Sequence, residues 1–176
     1  LGKFLDPYNG FWANSENQNI GFEESPSISG LNETVSIYYD SILVPHVYAN
    51  NDHDLYMAQG YVTAQNRLWQ MEFQTHASGG RVSEIIGKDA LDFDRYQRRN
   101  GLLYGAEKAV KLMAEDPTIG PILNAYTEGI NQYIASLEYK DLPIEYKLLD
   151  YKPEKWTNLK SGLLLKYMAN DLAGGD

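Results

Sequence analysis

Gln65, Glu72 and His76 are spaced so that they could act together. At about 100° per residue, positions seven and four apart return to nearly the same side of a helix. An amide, a carboxylate and an imidazole would then share one stripe. Such a stripe could meet a second polypeptide or line the wall of a site. It could equally lie inside this chain's own core, met by groups nearby. A buried amide or carboxylate is costly without partners, so one of the two must hold.

The other chemistry-bearing residues form no convincing constellation. His46 falls in an alternating, strand-like stretch and reads as a packed, hydrogen-bonded ring. His53 falls in the first turn of the central helix. No two histidines have metal-ligand spacing, and none has a Ser and an Asp that sequence would turn into a triad. The 176 residues include no cysteine, which excludes thiolate metal sites, cysteine nucleophiles and disulfides. There is no G-x-S-x-G elbow and no phosphate-cradling glycine loop. Among Arg95, Arg98 and Arg99, one could reach Glu72 or Glu84 as an ionic partner.

The element that must position the stripe runs from Asp54 to the glycines at 79 and 80. Asn51 can cap its start, with Asp52 and Asp54 near the positive helix end. Gly79-Gly80 supplies the stop, because glycine takes the left-handed conformation readily. Met57, Ala58, Tyr61, Val62, Ala64, Leu68, Trp69, Met71 and Phe73 share a broad arc, so the helix is buried on most sides.

Around this helix the chain reads as one domain preceded by an arm. Residues 1–34 are rich in Asn, Ser, Glu, Gly and Pro, with aromatic islands at Phe4, Tyr8, Phe11-Trp12 and Phe22. They read as an extended arm whose aromatics anchor in apolar notches. Residues 35–176 form the domain. Val35, Ile37 and Tyr39 alternate with Ser36, Tyr38 and Asp40 as in a half-buried strand. Val44 to Ala49 is a second strand, with Pro45 at its start. After Gly87, the stretch 89–99 reads as a solvated helix face. Ala106–Ala114 is amphipathic, and Asp116-Pro117-Thr118 separates it from a clean helix through Leu137. Pro143–Asp150 is a short helix. Trp156 anchors the turn that follows. Thr157 caps a last helix, Leu159 to Asn170.

Lys plus Arg number 15 and Asp plus Glu 24, a net charge of −9. That balance, without a basic cluster, argues against nucleic acid and anionic membranes as partners. No apolar run reaches the roughly 20 residues that span a bilayer. The chain opens at Leu1 and stops abruptly after Gly174-Gly175, so it is expected to be a piece of something larger.

Several blocks, in order, resemble the N-terminal (α) subunit of the penicillin acylase family. They are Asp40 with Val44-Pro45-His46-Val47 and Ala49, Gly60-Tyr61, Ala64 through Glu72, and Gly80 through Gly87. Tyr151, Pro153, Trp156 and Thr157 fit its "Y-x-P-x-x-W-T" pattern. The likeness runs from about Val35 onward. Departures are Asn66 for the usual Asp, Leu43 for Gly, Tyr39 for a frequent Arg and Thr75-His76 for a frequent Arg pair.

The resemblance implies an α+β fold: a mostly helical chain with a short β-hairpin, forming with a β subunit the four-layer αββα architecture of N-terminal-nucleophile hydrolases. It implies a precursor that cuts itself, with the catalytic nucleophile as the first residue of the β subunit and no catalytic residue in this chain. The substrate would be a small N-acyl compound: a penicillin-type β-lactam side chain or an N-acyl-homoserine lactone. Substrate-binding residues carried over are Met168, Leu172 and Asp171, at the end of the last helix. Leu172 replaces the usual Phe, and Asp171 stands where Arg is common. No cofactor is implied for catalysis. A structural calcium would be held mainly by the β subunit, with no ligand assigned here. The compartment would be periplasmic or secreted. The competing reading is a non-catalytic helical interaction module that has lost its nucleophile-bearing partner.

Overall fold

A computed structural model of the chain describes residues 2–15 and 28–173. Its axis is α1, Asp52–Gly79. Asn51 caps it as expected, its side chain accepting from the Asp54 N–H, and Gly80 ends it at φ 63. The helix is not continuous. Arg67 has non-helical angles (φ −140, ψ 17). Just before it, the Asn66 side chain donates to the Val62 carbonyl at 2.8 Å. That carbonyl is the one Asn66's own N–H would use in an unbroken helix, so side chain and backbone compete for it.

Two strands precede α1: β1, Ser36–Tyr39, and β2, Pro45–Tyr48, paired antiparallel with Ile37 opposite Val47. Ile37 and Tyr39 face α1 and are buried with Ala58 and Val62. After α1 come α2 (Ser83–Ile86), α3 (Leu91–Arg99), α4 (Leu102–Glu115), α5 (Ile119–Ser136), α6 (Ile144–Leu149) and α7 (Asn158–Leu172). Asp94 on α3 is buried, and its carboxylate takes the N–H groups of Val82 and Ser83, both at 2.8 Å. It thereby serves the free donors at the start of α2. Burial alone would push its carboxyl up, but those donors hold it below the ordinary range.

The closest packing is α1 against α5. A Cβ on Gly129 would strike the Met57 carbonyl, and one on Gly60 the Tyr126 carbonyl. Both glycines are needed for the backbones to approach so closely. The main core forms where this crossing meets the C-terminal segment: Ala64, Leu68, Met71, Ile130, Leu142, Tyr146 and Trp156. Trp156 is buried as expected, and its backbone is held by Asn131 through both carbonyl and N–H.

Residues 2–15 are a compact turn rather than an extended arm. Phe4 stacks on Phe11 at 5.1 Å, and Phe11–Asn14 form a 3-10 turn. Tyr8 and Trp12 are exposed and Phe4 and Phe11 half-buried, and the segment is also tied down by Lys147 of α6. Its buried ammonium donates to the Gly10 carbonyl, to Asn14 Oδ1 and to the Lys140 carbonyl at 3.0, 2.6 and 2.7 Å. Three acceptors compensate the desolvation of that cation. The expectation for Phe22 lies outside the described residues. Among the described residues no helix is long and apolar enough to cross a membrane.

Candidate functional site

The stripe on α1 does meet polar partners, and for Glu72 they come from this chain. Glu72 is 1% exposed. One carboxylate oxygen accepts the Glu154 N–H at 2.8 Å and faces Lys160 Nζ at 3.3 Å. The other accepts the Tyr146 hydroxyl in a short hydrogen bond. Burial, with Glu72 beside it, raises the Tyr146 phenol far above its ordinary range, so it stays a donor. Lys160 also reaches Glu154 at 2.9 Å. Arg81, just beyond the end of α1, binds Glu84 and Glu154, each at 2.6 Å. It holds both carboxyls below the ordinary range, Glu154 down to about 2.

The partners of Glu72 and Glu84 are therefore Lys160 and Arg81. Arg95, Arg98 and Arg99 do not fill that role. Arg95 pairs with Asp92 on its own helix, and Arg98 donates to the Gly80 carbonyl at 2.9 Å. Gln65 is half-buried and accepts from the Tyr39 hydroxyl at 3.3 Å. Of the two readings left open for Glu72, the one within this chain holds: the segment 146–160 folds back over α1 and supplies its partners.

His76 closes the cluster. It is buried, and its Nδ1–H donates to the Glu72 carbonyl at 3.0 Å. Its Nε2 then faces Glu154 at 3.8 Å. His76, Glu84 and Glu154 have ligand atoms within 4.8 Å of one another, near enough for a metal ion. The two carboxylates already carry Arg81 and Lys160, however, so the charge a cation would neutralise is met by the protein. The arrangement is an ionic clamp joining the second half of α1 to the start of α7.

The remaining histidines do not join it. His46 is exposed rather than packed, with Nε2 3.5 Å from Asp40. His53 is half-exposed, its ring 2.9 Å from the buried Asp54 carboxylate. Thr157 occupies the cap position of α7, but its side chain makes no cap hydrogen bond; its carbonyl accepts the Lys160 N–H instead.

The residues carried over as substrate contacts lie at the other end of α7. Met168 is 58% and Leu172 80% exposed, and Asp171 is exposed between them. Within this chain they are not core. With Leu165 they give the last turns of α7 an apolar surface that no described residue covers. The clamp fixes the start of the helix whose end presents these residues.

Residues 34–176 match the family described as Penicillin amidase. The chain belongs to the penicillin amidase family. It is 36% identical over 132 residues to the penicillin acylase 2 proenzyme of Pseudomonas sp. strain SE83, covering 75% of this chain and 16% of that protein. It is 33% identical over 125 residues to penicillin G acylase of Escherichia coli, covering 69% of this chain and 14% of that one. Acyl-homoserine lactone acylase QuiP of Pseudomonas aeruginosa is 32% identical over 147 residues, 83% of this chain and 17% of QuiP. The fold is similar to that of a thermostable penicillin G acylase from Alcaligenes faecalis, with TM-score 0.71 and 27% identity, over 81% of this chain and 76% of that one. This penicillin amidase segment thus spans 14–17% of the length of the curated relatives it matches.

Proposed function

We propose that this chain is the α-subunit portion of a self-processed, heterodimeric amidase that hydrolyses the amide bond of an N-acyl compound. The observation that carries the reading is the family match across residues 34–176, reaching relatives named as penicillin and acyl-homoserine lactone acylases. The name proenzyme, borne by one relative, supports a precursor that is cut.

In this reading the nucleophile is the hydroxyl of a Ser that opens the β subunit. Its own α-amine, with an intrinsic pKa near neutrality, takes the hydroxyl proton. The oxygen attacks the amide carbon, the amine leaves with the proton, and water releases the acyl group from the ester. The two subunits build a four-layer αββα body, with any structural calcium held mainly by the β subunit. The chain described here contributes acyl recognition. Met168 and Leu172 supply an adaptable apolar wall and Asp171 a negative rim. That rim disfavours acyl groups ending in carboxylate, since like charges repel. The compartment is periplasmic or secreted.

The test is expression of the full reading frame, followed by intact mass and N-terminal sequencing. A second, larger chain opening with Ser, Thr or Cys is expected. Phenylacetyl, glutaryl and fatty-acyl amides then sort the specificity. An uncut polypeptide that turns over none of them would overturn the reading in favour of a non-catalytic interaction module.

A further inference from the structure

The turn between β1 and β2 is rigid, strained and apolar at once. Asp40 Oδ1 accepts the N–H of Ile42 at 3.0 Å and of Val44 at 2.9 Å. The Leu43 N–H donates to the Asp40 carbonyl at 2.9 Å, and the Asp40 N–H to the Val44 carbonyl at 3.2 Å. These four bonds fix the tip and hold Leu43 at φ 61. In that region the Cβ of an ordinary residue crowds the backbone, which is why turns favour Gly, Asn or Asp there.

The side chains on this frame point away from the chain. Ile42 is 77%, Leu43 47% and Val44 45% exposed. On the outward face of the strands, exposed Tyr38 and Tyr48 meet edge to face at 6.0 Å. Consecutive aliphatic residues on a strained, pre-formed turn are poor solvent chemistry. They are good docking chemistry, because a tip already in its bound shape loses little entropy when covered.

We propose that Ile42, Leu43 and Val44 form a docking knob, buried in the whole protein by polypeptide that lies outside these 176 residues. The inference rests on the reading above in one respect, that the chain is part of a longer protein. This segment corresponds to 14–17% of its matched relatives, leaving most of the mass to supply a notch. A second copy of the segment is the poorer occupant, since its net charge of −9 makes like copies repel.

The experiment uses the full-length protein carrying Ile42→Cys, in a segment that has no cysteine of its own. A charged maleimide is reacted with the native protein and with the protein unfolded in urea, the unsubstituted protein correcting for thiols elsewhere. A covered tip reacts roughly tenfold or more slowly when native, the rate following its rare opening. Equal rates would overturn the proposal. Val44→Cys repeats the measurement should the first variant not fold. Intact mass keeps the two readings apart. Two chains with a freely reactive thiol at position 42 would sink the knob and leave the amidase. A single uncut chain with that thiol protected would do the reverse. Leu43→Gly adds a second readout: relief of strain alone raises the melting temperature of the full-length protein, whereas loss of a buried anchor lowers it.

Discussion

Lys160 Nζ on α7 lies 3.3 Å from the Glu72 carboxylate on α1, with both side chains withdrawn from solvent. The pair joins two helices whose contacting residues are 88 positions apart. Desolvating both charges is expensive, and the net gain over an apolar pair is small. Removing one member is another matter, because it strands the other.

Lys160→Met should therefore destabilise the protein by about 3 kcal/mol, the usual result of leaving a buried charge unpaired. Urea unfolding of the assembled protein measures it. Glu72→Gln should be milder, because Lys160 keeps Glu154 at 2.9 Å. If the methionine variant is as stable as the parent, the clamp is not structural.

Tyr146→Phe removes the hydroxyl that Glu72 accepts while keeping the ring in the core. One carboxylate oxygen then loses its donor in a buried place. The expected loss is about 1–3 kcal/mol. A shift in melting temperature with an unchanged far-ultraviolet spectrum is the signature to look for.

Acid should loosen the clamp in a defined window. Hydrogen bonding from Arg81, aided by Lys160, lowers the Glu154 pKa from 4.5 to about 2. A depressed folded value means the contribution is present above 4.5 and is lost as pH falls toward 2. Solvent screening at this partly exposed group keeps the effect modest. Unfolding free energy measured across that range should fall less steeply in Glu154→Gln than in the parent. Parallel slopes would count against the pairing.

Gly129→Ala places a methyl group against the Met57 carbonyl at the α1–α5 crossing. The obstruction is backbone, so the helices must separate. A loss above roughly 3 kcal/mol is expected, at the severe end of overpacking. Gly87→Ala is a useful contrast: its Cβ would meet nothing within 4 Å, and only its φ of 83 opposes the change. Thermal melts of the two variants side by side make the comparison.

Met168→Ala tests the acyl wall. Met168 is exposed within this chain, so the change should leave the chain's own stability within about 0.5 kcal/mol. On the proposed function, it should shift the ratio of kcat/KM of the assembled protein between phenylacetyl and longer acyl amides by roughly tenfold, the scale of an altered apolar pocket. Asp171→Arg should raise turnover of glutaryl amides. An unchanged specificity profile in both variants would remove these residues from the pocket.

The sequence by itself determined the hairpin, the longer helices and the family, but not the break in α1 at Arg67, the short helix α2 or the fold of residues 2–15. Asn51 and Gly80 mark the limits of α1 because caps and left-handed stops are set by one or two residues. The alternation of Ile37 and Tyr39 placed the hairpin for the same local reason, and ordered blocks of identity carried the family. Tertiary structure decided who meets whom. Tyr146, Glu154 and Lys160 stand 74, 82 and 88 residues from Glu72, and no periodicity reaches that far. Arg95, Arg98 and Arg99 were candidate partners only because they lie nearer in the chain; the reading of 89–99 as a solvated face fits the Arg95–Asp92 pair on its own helix. His46 followed a strand pattern whose outward side faces solvent, which alternation cannot assign without the helix beneath. Met168 and Leu172 have the spacing of core residues, and only the packing of α7 leaves them uncovered. Burial depends on what arrives from elsewhere in the chain, and a local pattern carries no record of that arrival.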